Sequence, residues 1–162
     1  YGDHRDLHSF PTRRSSDLTH AVGEVSEEAK KLIQVTKECF FEGIKYAKAG
    51  NHLFDISGAI GRYAEERGYG VVRDLCGHGI GTALHEAPEI PNYEVGRKGV
   101  KLRPGMTLAI EPMINIGTYE VDWLDDDWTV VTRDGSLSAH YENTILITEG
   151  EPRILSLTCD NE

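Results

Sequence analysis

The sequence predicts an α+β fold, with two amphipathic helices laid on one face of an antiparallel sheet, and three observations carry the prediction. Apolar residues recur at helical spacing between Ser26 and Gly68. Beyond Gly68 they alternate at a period of two or form short, strand-length runs. Pro104-Gly105 and Asp134-Gly135 supply turn signals among those runs. Helices grouped ahead of strands form a two-layer arrangement with the helices on one side.

Taking the elements in order, Ser26 is a plausible N-cap, and Glu27 and Glu28 suit the positive end of a helix dipole. Ala29, Leu32, Ile33, Phe40, Ile44 and Ala47 recur near 3.6-residue spacing, and Gly50-Asn51 stops that helix. A second helix is expected over 55–67, burying Ile56, Ala59, Ile60 and Tyr63, with Gly68 as its terminal glycine. The segment 69–75 reads as a strand feeding Cys76-Gly77-His78-Gly79-Ile80-Gly81, and 96–105 as a loop. Met106, Leu108 and Ile110 alternate with Thr107, Ala109 and Glu111, which puts Glu111 on the less apolar face. Segments 128–132 and 137–147 read as a hairpin about Arg133-Asp134-Gly135-Ser136, with Ser138, His140, Glu142 and Thr144 sharing one face. A short closing strand is expected within 152–157.

Length and charge narrow the function classes. A chain of 162 residues with 39% apolar composition is one domain's worth and can bury a core. The formal charge of −10 argues against non-specific nucleic-acid binding and against a polybasic membrane patch. The apolar runs are too short to span a bilayer as helices. Cys39, Cys76 and Cys159 are odd in number and scattered, which fits a reducing, cytoplasmic setting without a disulfide framework.

His78, Glu111 and Glu142 are the candidate chemistry. A hydrolytic metal site needs hard oxygen donors, an imidazole and an open position for water. Glycines on both sides of His78 remove bulk around a ligand and let backbone approach closely. A histidine or strand glutamate taken singly is more often structural, so the weight lies in the combination. His85 reads either as a loop histidine or as a donor to charge developing on a substrate carbonyl.

Five segments in order bear a wider resemblance: Cys76-Gly77-His78-Gly79-Ile80-Gly81, His85-Glu86-Ala87-Pro88, Leu102-Arg103-Pro104-Gly105-Met106-Thr107, Ile110-Glu111-Pro112-Met113 and Ser138-Ala139-His140-Tyr141-Glu142-Asn143-Thr144. Together they resemble the methionine aminopeptidases of bacterial and organellar type. The resemblance implies a pita-bread α+β fold and removal of the initiator methionine from nascent proteins. It implies two divalent ions, drawn from Co, Mn, Fe or Zn, that acidify a water for attack on the first peptide bond. His78, Glu111 and Glu142 match metal ligands, with Glu142 bridging and Glu111 also the general base. His85 matches a catalytic histidine at the scissile amide. Cys76 and Trp128 match the methionine pocket, and Leu84 stands where that pocket commonly has an aromatic residue. Implied too are a monomer when intact and an encounter with the ribosome, although no basic docking surface is visible.

Residues 1–18 stand apart. They hold Pro11, Arg13-Arg14 and Ser15-Ser16 with no helical or strand period, and they resemble the in-frame translation of a sequencing-library adapter. They are expected to be a non-native, disordered leader, with residues 19–162 a partial metallopeptidase catalytic domain. The family draws two aspartate ligands and a further histidine from chain ahead of Thr19, and neither Asp3 nor Asp17 stands in the right register to replace them. This fragment is therefore expected to be inactive. Two other readings stay open: a non-catalytic pita-bread module that binds peptides or proteins, and a proline-specific peptidase relative. Substitution of the two aspartates would mark the first. Preference for X-Pro over Met-Ala peptides would mark the second.

Overall fold

The computed structural model describes residues 18–157. Expectations for residues 1–17 and for Cys159 lie outside that range. Leu18, grouped above with the leader, makes an antiparallel bridge to Tyr141 and packs against the core.

The elements run α1 (Glu27–Ile44), α2 (Leu53–Glu65), β1 (Gly70–Val71), β2 (Gly77–Gly79), β3 (Glu86–Ile90), β4 (Thr107–Ile110), β5 (Met113–Asn115), β6 (Val121–Trp123), β7 (Val130–Thr132), β8 (Ser138–His140), β9 (Asn143–Leu146) and β10 (Arg153–Ile154). They make a five-stranded sheet in the order β10-β9-β4-β2-β3, a three-stranded sheet β1-β5-β8, and a separate β6-β7 pair. Every pairing is antiparallel. The expected order of helices first and strands after is what forms.

Ser26 caps α1, its hydroxyl accepting from the Ala29 amide at 3.1 Å. The helix stops at Ile44, short of Gly50. There Tyr46 N–H bonds Gly43 O and Ala47 N–H bonds Ile44 O, a tightening into i→i−3 bonds that ends the α-helical ladder. α2 begins two residues ahead of the expected start because Leu53 and Phe54 are buried in its first turn. Asp55 accepts from the His52 amide at 2.8 Å, closing that end. The helices cross where α1 presents Gly43, so that the Ile56 and Ile60 side chains come close. Phe40 sits at the centre of the core, fully buried and 5.4 Å from the Tyr141 ring. Phe40→Ala is expected to cost about 3–5 kcal/mol and to lower Tm by about 6–20 °C in a thermal melt.

Two strand expectations are corrected. The segment 128–132 does not form a hairpin with 137–147: β7 pairs with β6, and β8 pairs with β5. The turn between β7 and β8 carries the chain from one sheet to another. It is tied down by Asp134, which accepts from the Thr118 and Ser136 amides. The Ser136 side chain, followed by those amides, lowers the Asp134 pKa to about 2 from an ordinary 3.8. A depressed carboxylate stabilises the fold above its unfolded value. The Tm difference between the parent and Asp134→Asn should therefore persist above about pH 4 and vanish as pH falls through about 2.

The second correction concerns 137–147, which is not one strand. It breaks at Tyr141-Glu142 into β8 and β9, which belong to different sheets. The segment 107–115 breaks in the same way at Glu111-Pro112, between β4 and β5. Pro112 has no N–H to offer a ladder, which is the local reason for the interruption. The double break is what builds the site.

Candidate metal centre

Ile110 faces Asn143 in the five-stranded sheet, and Met113 faces His140 in the three-stranded one. The register runs across the break without a slip, which sets Glu111 opposite Glu142. Both glutamates thus lie where the paired strands pass from one sheet to the other. In the neighbouring row, His78 on β2 faces Ala109 on β4, which faces Thr144 on β9. Alternation along each strand then places His78, Glu111 and Glu142 on one side of the sheet. Ala109, small and fully buried, sits in the row between them.

One donor atom from each of His78, Glu111 and Glu142 lies within 4.8 Å of the others. His78 Nδ1 is 2.8 Å from the Gly79 carbonyl oxygen. A carbonyl only accepts, so the proton sits on Nδ1 and the Nε2 lone pair is left free. That Nε2 is 3.5 Å from Glu111 Oε1. Two electron-rich atoms facing each other at this distance, both largely shielded from water, suit a shared cation. The mixed imidazole and carboxylate set fits a divalent transition metal. Glu111 is anchored at its backbone by Asn92, whose Nδ2 donates to the Glu111 carbonyl at 3.0 Å.

The glycines beside His78 serve the sheet rather than the ligand. A Cβ at Gly77 would run into the Ala109 carbonyl, and one at Gly79 into the Ala87 carbonyl, so β2 can lie between β3 and β4 only with bare backbone there. β4 also has no solvated face, since Leu108, Ala109 and Ile110 are all buried. Glu111 is therefore set apart by the end of the strand and not by a polar side.

A cleft of about 380 Å³ opens beside this cluster, lined by Cys76, Gly77, His78, His85, Glu86, Ala87 and Glu89. The His85 and His78 ring centroids are 4.3 Å apart. The loop carrying His85 is held by Glu86, which accepts from Ala83 N and Thr82 Oγ1. Those bonds, the Ala83 amide first, hold the Glu86 carboxyl below the ordinary range. Burial first, then the negative Glu89, pushes the Cys76 thiol up, which keeps it a neutral wall and not a nucleophile. Leu84 is exposed on the same loop and is not among the lining residues. Trp128 is not brought to the cleft: it is 85% exposed beside β7, its amide bonded to Asp126. His140 is the neighbour that sequence reasoning left without a role. Its Nε2 is 3.4 Å from Glu111 Oε2. The signal was its place two residues before Glu142 on the same face.

Comparison with known proteins bears on this geometry. The family described as Metallopeptidase family M24 matches residues 15–149, most of the chain. The chain belongs to metallopeptidase family M24. Within the M24 family it is similar to the methionine aminopeptidase of Clostridium acetobutylicum, 60% identical over 139 residues, covering 86% of this chain and 56% of that protein. The crystal structure of methionine aminopeptidase from Thermotoga maritima matches with a TM-score of 0.81 at 50% identity, over 85% of this chain and 55% of that one. Prolidase from Pyrococcus furiosus matches at 26% identity and TM-score 0.65, over 87% of this chain and 36% of that one. The pita-bread α+β class is thus the right one for these M24 strands and helices. The chain spans about half the length of the methionine aminopeptidases it matches.

Proposed function

We propose that this protein carries the metal-binding portion of a methionine aminopeptidase, which removes the N-terminal methionine of a polypeptide. The observation that carries the reading is the convergence of His78, Glu111 and Glu142 on one small volume beside an open cleft. Identity favours the methionine-specific branch, at 60% against 26% for a prolidase. A divalent ion held by these residues would supply Lewis acidity and bring the pKa of a water toward about 7. Glu142 and His78 would hold the cation, and Glu111 would both help to hold it and take up the proton of an attacking water. His85, beside His78 at the cleft, donates to the carbonyl oxygen of the scissile amide. Cys76 forms a neutral, sulfur-bearing part of the wall against which a thioether packs.

Three protein donors are enough for one ion. A pair of ions would need further carboxylates. The purified 162-residue chain is therefore expected to bind about one equivalent of Mn²⁺ or Co²⁺. It should cleave Met-Ala-Ser far below the roughly 1–10³ s⁻¹ usual for enzymes. A chain extended to the length of its relatives should cleave Met-Ala-Ser and spare X-Pro dipeptides. Preference for X-Pro would move the protein to the prolidase branch, and metal binding without cleavage by the extended chain would make it a binding module.

A further inference from the structure

We infer that His140 is a positioning residue for the metal centre: its Nε2–H holds Oε2 of Glu111 so that Oε1 stays turned to His78. The inference rests on the reading that His78, Glu111 and Glu142 share a cation, and it adds a residue which that reading does not need. Glu111 lies between two imidazoles, with Oε1 3.5 Å from His78 Nε2 and Oε2 3.4 Å from His140 Nε2. The two rings have opposite requirements. His78 spends its Nδ1 proton on the Gly79 carbonyl and presents a lone pair. His140 Nε2 is shut off from solvent and has no aligned hydrogen-bond partner among the described residues. A buried ring nitrogen needs a partner. The group beside it is a carboxylate, which only accepts, so the nitrogen must carry hydrogen.

The backbone of His140 is held from both directions. Its amide donates to Thr19 Oγ1 at 2.8 Å, its carbonyl accepts from the Thr19 amide at 2.9 Å, and its Cα pairs with Met113 across β5 and β8. A backbone fixed in this way sets the base from which the ring reaches the neighbouring carboxylate. It stands outside the group of donors that lie within 4.8 Å of one another, so it orients a ligand and is not one. Partners of this kind typically set metal affinity by about 10–100-fold.

The test has a metal-free arm and a metal arm, both on the full 162-residue chain. In ¹⁵N-imidazole NMR spectra near pH 7.5 without metal, His140 is expected to be protonated at Nε2 with a bare Nδ1, and its resonances should move in Glu111→Gln. In calorimetric titration with Mn²⁺, His140→Ala should weaken binding by about 10–100-fold, while His140→Gln, whose side-chain amide can donate, should return most of it. The Nδ1–H tautomer, or Mn²⁺ affinity unchanged in His140→Ala, would overturn the inference. Failure of the unsubstituted chain to bind Mn²⁺ would instead remove the shared-cation reading, and the His140 tautomer alone would then decide whether it braces Glu111. If His140→Ala does not fold, the His140 tautomer and its response to Glu111→Gln decide.

Discussion

Replacing His78 with alanine is expected to abolish stoichiometric Mn²⁺ binding, with affinity falling by more than the roughly 100-fold that outer partners account for. Among the described residues the ring is the only nitrogen donor in the cluster, and its Nε2 lone pair is fixed in direction by the Nδ1 bond to Gly79. Alanine leaves two carboxylates facing each other across the break between the sheets, with no neutral donor to complete the set. Calorimetric titration reads this directly. The thermal melt is the control: the fold should be kept, because the ring contributes no aliphatic core. An affinity within a few-fold of the parent would mean that the ion binds elsewhere.

The second large effect falls on the fold. Gly77→Ala and Gly79→Ala each place a methyl group against a carbonyl of the adjoining strand, Ala109 in one case and Ala87 in the other. Ala109 is paired on both sides within the five-stranded sheet, and Ala87 lies in β3 between the residues that pair with His78 and Gly79. Overpacking costs about 1–3 kcal/mol and occasionally more, and contact with backbone puts these two changes near the upper end, out of a total stability on the order of 5–15 kcal/mol. A fall in Tm of roughly 6–12 °C or outright loss of folding is expected for each. Gly150→Ala is the comparison, since nothing lies within 4 Å of the added methyl and its effect should stay within about 0.5 kcal/mol. If the Gly77 and Gly79 variants melt like the parent and lose only metal binding, these glycines serve the ligand after all.

Periodicity exposed the helices because burial alone repeats at 3.6 residues along α1 and α2. Their ends were displaced by tertiary demands, namely the turn after Ile44 and the burial of Leu53 and Phe54. Strand pairing was less legible. Leu137 to Ile147 looks continuous, because nothing in a single strand's alternation records that its partner is interrupted at Pro112. The partner of 128–132 was misassigned because a turn of hairpin composition also serves to pass a chain between sheets. At the site, residue type and spacing picked out His78, Glu111 and Glu142. Their common face depends on an unbroken register between two segments about thirty positions apart, which only the folded chain displays. Trp128 shows the converse: a residue matched by motif stands exposed and away from the cleft lining.

Crystals of the 162-residue chain soaked in Mn²⁺ and measured at the manganese absorption edge would test the central claim most directly. An anomalous peak is expected within bonding distance of His78 Nε2 and of carboxylate oxygens from both Glu111 and Glu142. A strong peak elsewhere, for instance in the acidic stretch Asp125-Asp126-Asp127, with those three side chains turned apart, would contradict it.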